Sequence, residues 1–220
     1  MKYKLVCFDV DGTLVDNIIY SWELFHNYFN VDKKRRYIAK KRFYNNEISY
    51  LEWAWHDINM WIEKGVKKDD FFQALKQNGV KLMNGAIETL TKLKSMGIKL
   101  AIISGSLDII LEYLLPHYKK IFEHIFLTKL SFDDKGNLVG AKPTAFDMDK
   151  KVDALKLICK LDNIELQNTV FVGDHHNDVK IAQVAGLSIA FDAKDKALRE
   201  VCDIVIYKKD LREVLKFVKD

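Results

Sequence analysis

The stretch Val6-Cys7-Phe8-Asp9-Val10-Asp11-Gly12-Thr13-Leu14-Val15 decides the fold of this chain. A short apolar run leads into it, which is typical of a buried strand, and the run ends in two aspartates one residue apart. Ligands of a parallel sheet bind beyond the carboxyl ends of its strands, so we expect Asp9 and Asp11 at an active edge. Carboxylates this close raise each other's pKa unless a hard cation such as Mg²⁺, which takes oxygen ligands, neutralises them. A solvated turn after a strand is the alternative interpretation.

The length predicts one large domain, or a domain with an insertion. We expect the protein to be soluble and cytoplasmic. Of the 220 residues 49% are hydrophobic, and the net charge of +4 is too small for a dedicated nucleic-acid binder. The three cysteines have no metal-type spacing, which favours reduced thiols. Charges interrupt the N-terminal apolar run, so we expect a strand there and not a signal peptide. No apolar run is long enough to cross a membrane.

Residues 16–80 differ from the rest because they predict helices throughout and no strand. Asp16 is a candidate N-cap for a helix that ends near Phe29, and Ser49-Tyr50-Leu51-Glu52 has the spacing of a capping box. All four tryptophans lie in this segment. We interpret residues 16–80 as a helical cap inserted after the first strand, with residues 1–15 and 81–220 forming the core.

From residue 81 onward, helices and strands alternate, which predicts an α/β fold with a mostly parallel sheet and helices on both faces. We expect strands at 99–103, 125–128, 169–172, 187–191 and 204–207. Helices are expected at 86–96, 106–115, 151–161, 178–185 and 211–218. A turn at residues 133–137 joins two segments of a predicted hairpin.

Polar groups follow two further predicted strands. Ser104-Gly105 comes after one, where a hydroxyl and free N–H groups suit a phosphate oxygen, although Ser104 or Ser106 could equally cap a helix. Gly173-Asp174-His175-His176-Asn177-Asp178 follows another and again places two acids at a strand end. Between them lies Lys151, near a predicted helix start, where a cation could stand beside a phosphate.

Taken together, these motifs resemble those of the haloacid dehalogenase superfamily, and within it the phosphoserine-phosphatase-like branch. The resemblance implies a three-layer Rossmann-like core with an inserted cap, and a Mg²⁺-dependent phosphatase that forms an aspartyl-phosphate on a small phosphorylated metabolite. It implies that Asp9 is the nucleophile and Asp11 the general acid and base. The implied metal ligands are Asp9, the Asp11 carbonyl and Asp174, and the implied phosphate ligands are Ser104, Gly105, Lys151 and Asn177. Asp178 and Thr13 are implied as supports of this site.

The sequence departs from phosphoserine phosphatases at the residues that bind the amino and carboxylate groups of the substrate. The family carries a Glu soon after the first motif, where this chain has Asp16-Asn17-Ile18-Ile19, and a cap Arg where it has Trp55-His56-Asp57. Phosphoserine itself is therefore not the expected substrate. His175 and His176 are either exposed loop residues or contacts to the substrate or the metal.

Other interpretations stay open at this point. The first is a phosphotransferase or phosphomutase of the same superfamily. The second is a non-catalytic regulatory module that binds metal or nucleic acid, which the intact acidic set argues against. The basic run at residues 33–42 is either a solvated helix face, a nucleic-acid patch or an attractor of anionic substrates. Tyr37, Ile38 and Phe43 have the spacing of a buried helix face, which favours the first. The sequence does not set an oligomeric state.

Overall fold

The computed structural model describes residues 2–218, apart from the side chain of Asp149. Nine strands alternate with helices in this part of the chain. The strands are β1 (Leu5–Phe8), β2 (Val15–Asp16), β3 (Lys81–Leu82), β4 (Lys99–Leu107), β5 (His124–Phe132), β6 (Leu138–Lys142), β7 (Thr169–Gly173), β8 (Leu187–Phe191) and β9 (Ile204–Ile206). The α-helices are α1 (Ser21–Tyr28), α2 (Lys33–Tyr44), α3 (Tyr50–Glu63), α4 (Lys68–Gln77), α5 (Ala86–Ser95), α6 (Asp108–Leu114), α7 (Tyr118–Ile121), α8 (Lys151–Asp162), α9 (Val179–Ala182), α10 (Lys196–Val201) and α11 (Leu215–Val218). Short 3₁₀ turns occupy Met148–Lys150, Leu166–Asn168, His176–Asp178 and Leu211–Val214.

Seven strands form one sheet in the order β6-β5-β4-β1-β7-β8-β9. All neighbours are parallel except β6, which pairs antiparallel with β5 through the predicted turn. β1 lies at the centre, between β4 and β7, and its four residues are buried. The α/β fold class with a mostly parallel sheet is confirmed.

The central strand divides the core into two layers because alternate side chains of a strand point to opposite faces. Val6 and Phe8 belong to one hydrophobic cluster, and Leu5 and Cys7 to another, which α8 covers. Helices therefore pack on both faces, which explains why β1 reads as a continuous apolar run. This is the three-layer arrangement expected from the sequence. No helix within residues 2–218 combines the length and apolar character that a membrane span requires.

The segment at residues 16–80 contains α1 to α4, but its boundaries are strands. β2 pairs antiparallel with β3. The chain therefore enters and leaves this segment through two adjacent strands. The prediction that Asp16 caps a helix is wrong, because Asp16 lies in β2 and α1 begins only at Ser21. Asn17 follows with a φ of +62°, a left-handed conformation that cannot start a helix. The predicted division into core and cap stays a prediction.

Two further predictions for this segment concern the start of α3 and the buried face of α2. The Ser49–Glu52 capping box at the start of α3 is confirmed. The predicted buried face of α2 is wrong in part, since Tyr37 and Ile38 are 66% and 49% exposed, whereas Ala39 is buried. In a helix this rich in charge, apolar spacing did not identify the side that packs.

Two predicted helix starts are also wrong. β4 continues through Ser104, Gly105 and Ser106 to Leu107, and α6 begins at Asp108. Neither serine caps that helix. The helix predicted at residues 178–185 is a 3₁₀ turn at His176–Asp178 followed by the short α9.

Candidate active site

Asp9 is the first residue after β1 and the centre of the site. Its carboxylate accepts a hydrogen bond from Lys151 Nζ at 2.6 Å and is also hydrogen-bonded by Ser104. Burial raises the pKa of Asp9 to about 6, and the Lys151 ammonium opposes that rise. Asp9 is therefore ionised at neutral pH although it is only 5% exposed.

Lys151 lies at the start of α8, fully buried, and does not line the cavity described below. Its ammonium donates to Asp178 Oδ1 at 2.7 Å as well as to Asp9. Burial alone would lower the pKa of Lys151, but the charges of Asp178 and Asp9 outweigh burial and raise it. Lys151 is thus a buried cation that contacts the Asp9 carboxylate without lining the cavity.

Asp178 holds the loop after β7 in place. Its Oδ2 accepts hydrogen bonds from the main-chain N–H groups of Asp174, at 3.0 Å, and His175, at 3.2 Å, while Oδ1 accepts from Lys151. Both oxygens of this buried carboxylate are therefore occupied by the protein. Asp9 and Asp174, unlike Asp178, line the cavity described below.

A cation fits the space between these carboxylates. Oxygen atoms of Asp9, Asp174 and Asp178 lie within 4.8 Å of one another. Burial, followed by the charges of Asp9 and Asp178, raises the pKa of Asp174 well above its usual range. Three carboxylates face one ammonium, so negative charge is in excess, and oxygen donors are those that Mg²⁺ prefers. The residues present thus fit a hard divalent cation.

The loop after Asp11 approaches Asp174 closely. Gly12 has a φ of +75°, and a Cβ there would overlap the Asp174 carboxylate, so only glycine fits. The hydroxyl of Thr13, which is fully buried, lies 3.5 Å from Asp174 Oδ1. The strand-end motifs at residues 9–13 and 173–178 therefore meet, as the sequence predicts.

Asp11 contacts both parts of the molecule. Its Oδ1 accepts a hydrogen bond from the Ser106 hydroxyl at 2.7 Å, and its Oδ2 accepts one from the Ser21 N–H at the start of α1, also at 2.7 Å. Burial raises the pKa of Asp11 to about 6, against these hydrogen bonds. A carboxyl group with a pKa near the operating pH can both give and take a proton.

Gly105 and Asn177, both predicted to bind phosphate, meet at a residue that the sequence analysis missed. Asn177 Nδ2 donates to Asp147 Oδ1 at 3.0 Å, and the same carboxylate lies against the Cα of Gly105. Tyr50 of α3 also hydrogen-bonds Asp147, and burial followed by that carboxylate raises the pKa of Tyr50. Asp147 lies in a loop without a motif, so no local signal marks it.

The sequence analysis also missed Ser106, although the sequence carries a signal for it. Residues i and i+2 of an extended chain point to the same side, so a strand that continues past Ser104 brings both hydroxyls to the site. The predicted helix starting at Ser106 gives no reason for a contact with Asp11, whereas in β4 the Ser106 hydroxyl donates to that carboxylate.

A cavity of about 340 Å³ opens above Asp9 between the sheet edge and α1 to α3. The predicted residues Asp9, Asp11, Ser104, Gly105, Asp174 and Asn177 line it. His175 and His176 do so as well. His175 lies 2.9 Å from the Tyr20 hydroxyl, and His176 is exposed. Lys151, Asp178 and Thr13 lie outside the cavity wall.

A family model described as haloacid dehalogenase-like hydrolase matches residues 3–186. The chain belongs to this family. A phosphoserine phosphatase from Methanocaldococcus jannaschii is 32% identical over 219 residues, which cover 99% of each chain.

Two solved structures of phosphoserine phosphatase are also similar to this chain. A phospho-aspartyl intermediate analogue of phosphoserine phosphatase is 30% identical and has a TM-score of 0.74, with all of both chains covered. A substrate-bound phosphoserine phosphatase complex is 29% identical, with a TM-score of 0.75 and the same coverage. This member of the family is therefore a phosphatase, a phosphoric monoester hydrolase that acts through an aspartyl-phosphate.

Proposed function

We propose that the chain is a Mg²⁺-dependent phosphatase of a small phosphorylated metabolite, with Asp9 as its nucleophile. The observation that carries this proposal is the position of Asp9. Its carboxylate lines the cavity, whereas Lys151, which donates to its Oδ1, does not. The relatives named as phosphoserine phosphatases support a substrate of this size class.

The reaction has two displacements that share one acid and base. In the first, an Asp9 oxygen bonds to phosphorus, the ester P–O bond breaks, and Asp11 gives its proton to the leaving alcohol. In the second, Asp11 takes a proton from water, the water oxygen bonds to phosphorus, and the bond to Asp9 breaks. Phosphate leaves, and both aspartates return to their starting states.

The metal would be held by Asp9, Asp174 and the main-chain carbonyl of Asp11. Bound there, Mg²⁺ offsets the repulsion between a carboxylate and a phosphate dianion. Asp178 positions Lys151 and the main chain of Asp174 through the hydrogen bonds described above, and Thr13 supports the same carboxylate.

The phosphoryl oxygens would be bound by Ser104, the Gly105 N–H and Asn177, with Lys151 supplying charge from beneath Asp9. These donors stabilise negative charge that develops in the transition state. Asn177 would turn from Asp147 to the phosphoryl group, because its amide now donates to that carboxylate. A cytoplasmic location agrees with the three cysteines, whose spacing favours reduced thiols.

The test combines metal removal with a substitution of the nucleophile. We expect a chelator to stop hydrolysis of a panel of phosphorylated metabolites and Mg²⁺ to restore it, whereas Ca²⁺, with longer bonds and more ligands, restores little. Asp9→Asn should lower kcat by a factor of about 10⁴ or more, as the loss of a nucleophile does elsewhere. It should also abolish the acid-stable label that radioactive phosphate ester leaves on the protein.

The matched control is Asp153→Asn, which removes the same charge from an exposed position of α8. It should keep its activity. Equal activity of Asp9→Asn and Asp153→Asn would contradict the proposal. Product analysis with and without an acceptor alcohol separates hydrolysis from phosphoryl transfer.

A further inference from the structure

The basic helix α2 faces the active-site cavity with one narrow stripe. Arg36, Lys40 and Tyr44 line the cavity, and they stand four residues apart, which places them on one side of the helix. The neighbouring cations Arg35 and Lys41 do not line it. The charge of α2 is therefore not only a solvated surface, because part of it is directed at the substrate space.

Of the two cations of this stripe, one has a carboxylate within ion-pair distance in the described part of the chain, and the other has none. The Arg36 Nε is buried 3.5 Å from an Asp57 carboxylate oxygen, in an ion pair, and has no hydrogen-bond partner within residues 2–218. Lys40 has no carboxylate within ion-pair distance among residues 2–218, and its nearest aromatic contact is Tyr44 at 6.0 Å. Cations at a cavity without a full set of partners attract an anionic ligand.

The wall between these cations and the catalytic aspartates is aromatic. Its rings come from the cap segment and are those of Tyr20, Trp22, Tyr44, Tyr50 and Trp53. The indole N–H of Trp53 is buried without a hydrogen-bond partner in the described structure. Glu23 is the acidic side chain that the helices α1 to α3 add to this wall, and it lies on α1, not on α2. The α2 side of the cavity thus keeps its positive charge.

We infer that the substrate is a phosphomonoester whose leaving alcohol has a ring-sized apolar body and a second anionic group, bound by Arg36 and Lys40. This inference rests on the proposed function, since it places the phosphoryl group at Asp9. The cavity of about 340 Å³ is within the usual range for small-molecule sites, which begins at roughly 300 Å³. Phosphoserine phosphatases bind the amino and carboxylate groups of their substrate with a Glu and a cap Arg. This chain has Asp16-Asn17-Ile18-Ile19 and Trp55-His56-Asp57 in their places, which agrees with a different leaving group.

The test uses two substrates that differ only in the second anion, phenyl phosphate and 4-carboxyphenyl phosphate. The measured quantity is the ratio of kcat/KM for the carboxylated ester to that for phenyl phosphate. We expect Arg36→Gln and Lys40→Gln each to lower this ratio by about ten- to a hundredfold, the value of a hydrogen bond to a charged group. The intrinsic reactivity of the two esters cancels when variants are compared with the wild type.

Lys41→Gln is the matched control, because it removes one charge from the same helix away from the cavity, and its ratio should equal that of the wild type. Arg36→Lys should retain part of the preference, which separates loss of charge from loss of folding. Thermal unfolding of each variant checks its stability.

Two results would overturn the inference. One is an unchanged ratio in both glutamine variants, and the other is an equal fall in Lys41→Gln. Phosphoglycolate carries a carboxylate without a ring, so if Arg36→Gln weakens its hydrolysis as strongly, the ring-sized body is not required. If the wild type hydrolyses neither the aryl esters nor any member of the metabolite panel, and no label forms on Asp9, the proposed function itself fails. If it hydrolyses members of the panel but neither aryl ester, this inference fails alone. Hydrolysis without any preference leaves the function intact and rejects this inference alone.

Discussion

At the scale of single residues, the buried ion pairs of Lys151 determine how the site is built. The ammonium holds two carboxylates that belong to different strand ends, Asp9 after β1 and Asp178 after β7. Removing one partner of a buried pair leaves an uncompensated charge, which costs far more than the pair itself contributes. Lys151 is therefore needed for folding as well as for charge at Asp9.

Lys151→Met should leave both of these carboxylates without their cation. We expect it to lower the free energy of unfolding by about 3–5 kcal/mol, measured by urea denaturation with a chelator present, and to abolish phosphatase activity. The double variant Lys151→Met/Asp178→Asn removes one of the stranded charges and should recover part of the stability but none of the activity. Additive losses in the double variant would show that the two residues do not interact as described.

The sequence could predict the residues that stand at strand ends, but not those that only tertiary structure brings in. Asp9, Ser104 and Asp174 each follow an apolar run, so their meeting at one sheet edge follows from parallel topology. Arg36 lies on α2, a helix rich in positive charge, and Asp147 lies in an irregular loop. Nothing local distinguishes them from solvated neighbours, because which side of α2 faces the cavity depends on how the helices pack.

At the scale of elements, a buried histidine connects α1 with α3. His26 Nδ1 accepts a hydrogen bond from Trp61 Nε1 at 3.0 Å, so its proton is on Nε2, which faces Asp57 at 2.9 Å. Asp57 is also approached by Arg36 and by His56 at 3.1 Å. Burial lowers the pKa of His26, and the contact with Asp57 opposes this only in part. The neutral ring is the form that fits both partners.

The pH dependence of stability should report this histidine. The unfolded state takes up a proton as pH falls through about 6.5, whereas the folded state resists it, so the stabilising contribution is present above that pH and is lost below it. We expect the unfolding free energy of the wild type to fall more steeply between pH 7 and pH 5 than that of His26→Gln, by at most about 1.4 kcal/mol per pH unit.

Only the difference in slope tests this expectation, since His26→Gln also changes packing and the active-site carboxylates titrate in both proteins. His56→Gln serves as the control, because His56 contacts the same carboxylate from a more exposed position. Parallel pH curves for the wild type and His26→Gln would contradict the assignment of a neutral His26.

At the scale of the whole molecule, the helical segment and the sheet share one hydrophobic cluster. Phe25, Trp61 and Phe71 of the helices belong to the same cluster as Phe8 of β1 and Leu107 of β4. The sequence analysis treated the helices as a separate insertion, which their aromatic content suggested. Their burial against the sheet depends on contacts between residues far apart in the sequence, which the hydrophobic periodicity of a segment cannot predict.

Polar contacts also connect the helices of residues 16–80 to the sheet, and they lie at both ends of this segment. Beside the active site, Trp22 Nε1 donates to the Gly105 carbonyl at 2.9 Å. At the far end, Lys68 pairs with Glu112 of α6 at 2.7 Å, and the Leu138 N–H of β6 donates to the Val66 carbonyl at 2.9 Å. The helices are thus attached at more places than the β2–β3 ribbon.

This attachment predicts that the helical segment and the sheet unfold together. The four tryptophans all lie within residues 22–61, so their fluorescence reports on the helices and on their contacts with the sheet. Cys7 lies fully buried in β1, and its reactivity with a thiol reagent, in a Cys159→Ala/Cys202→Ala background, reports on the sheet. In urea both probes should give the same midpoint, as in a two-state transition. A tryptophan midpoint well below that of Cys7 would mean that the helices form an independent lid. In that case the shared cluster contributes little to stability, because burial of apolar area across it would otherwise couple the two transitions.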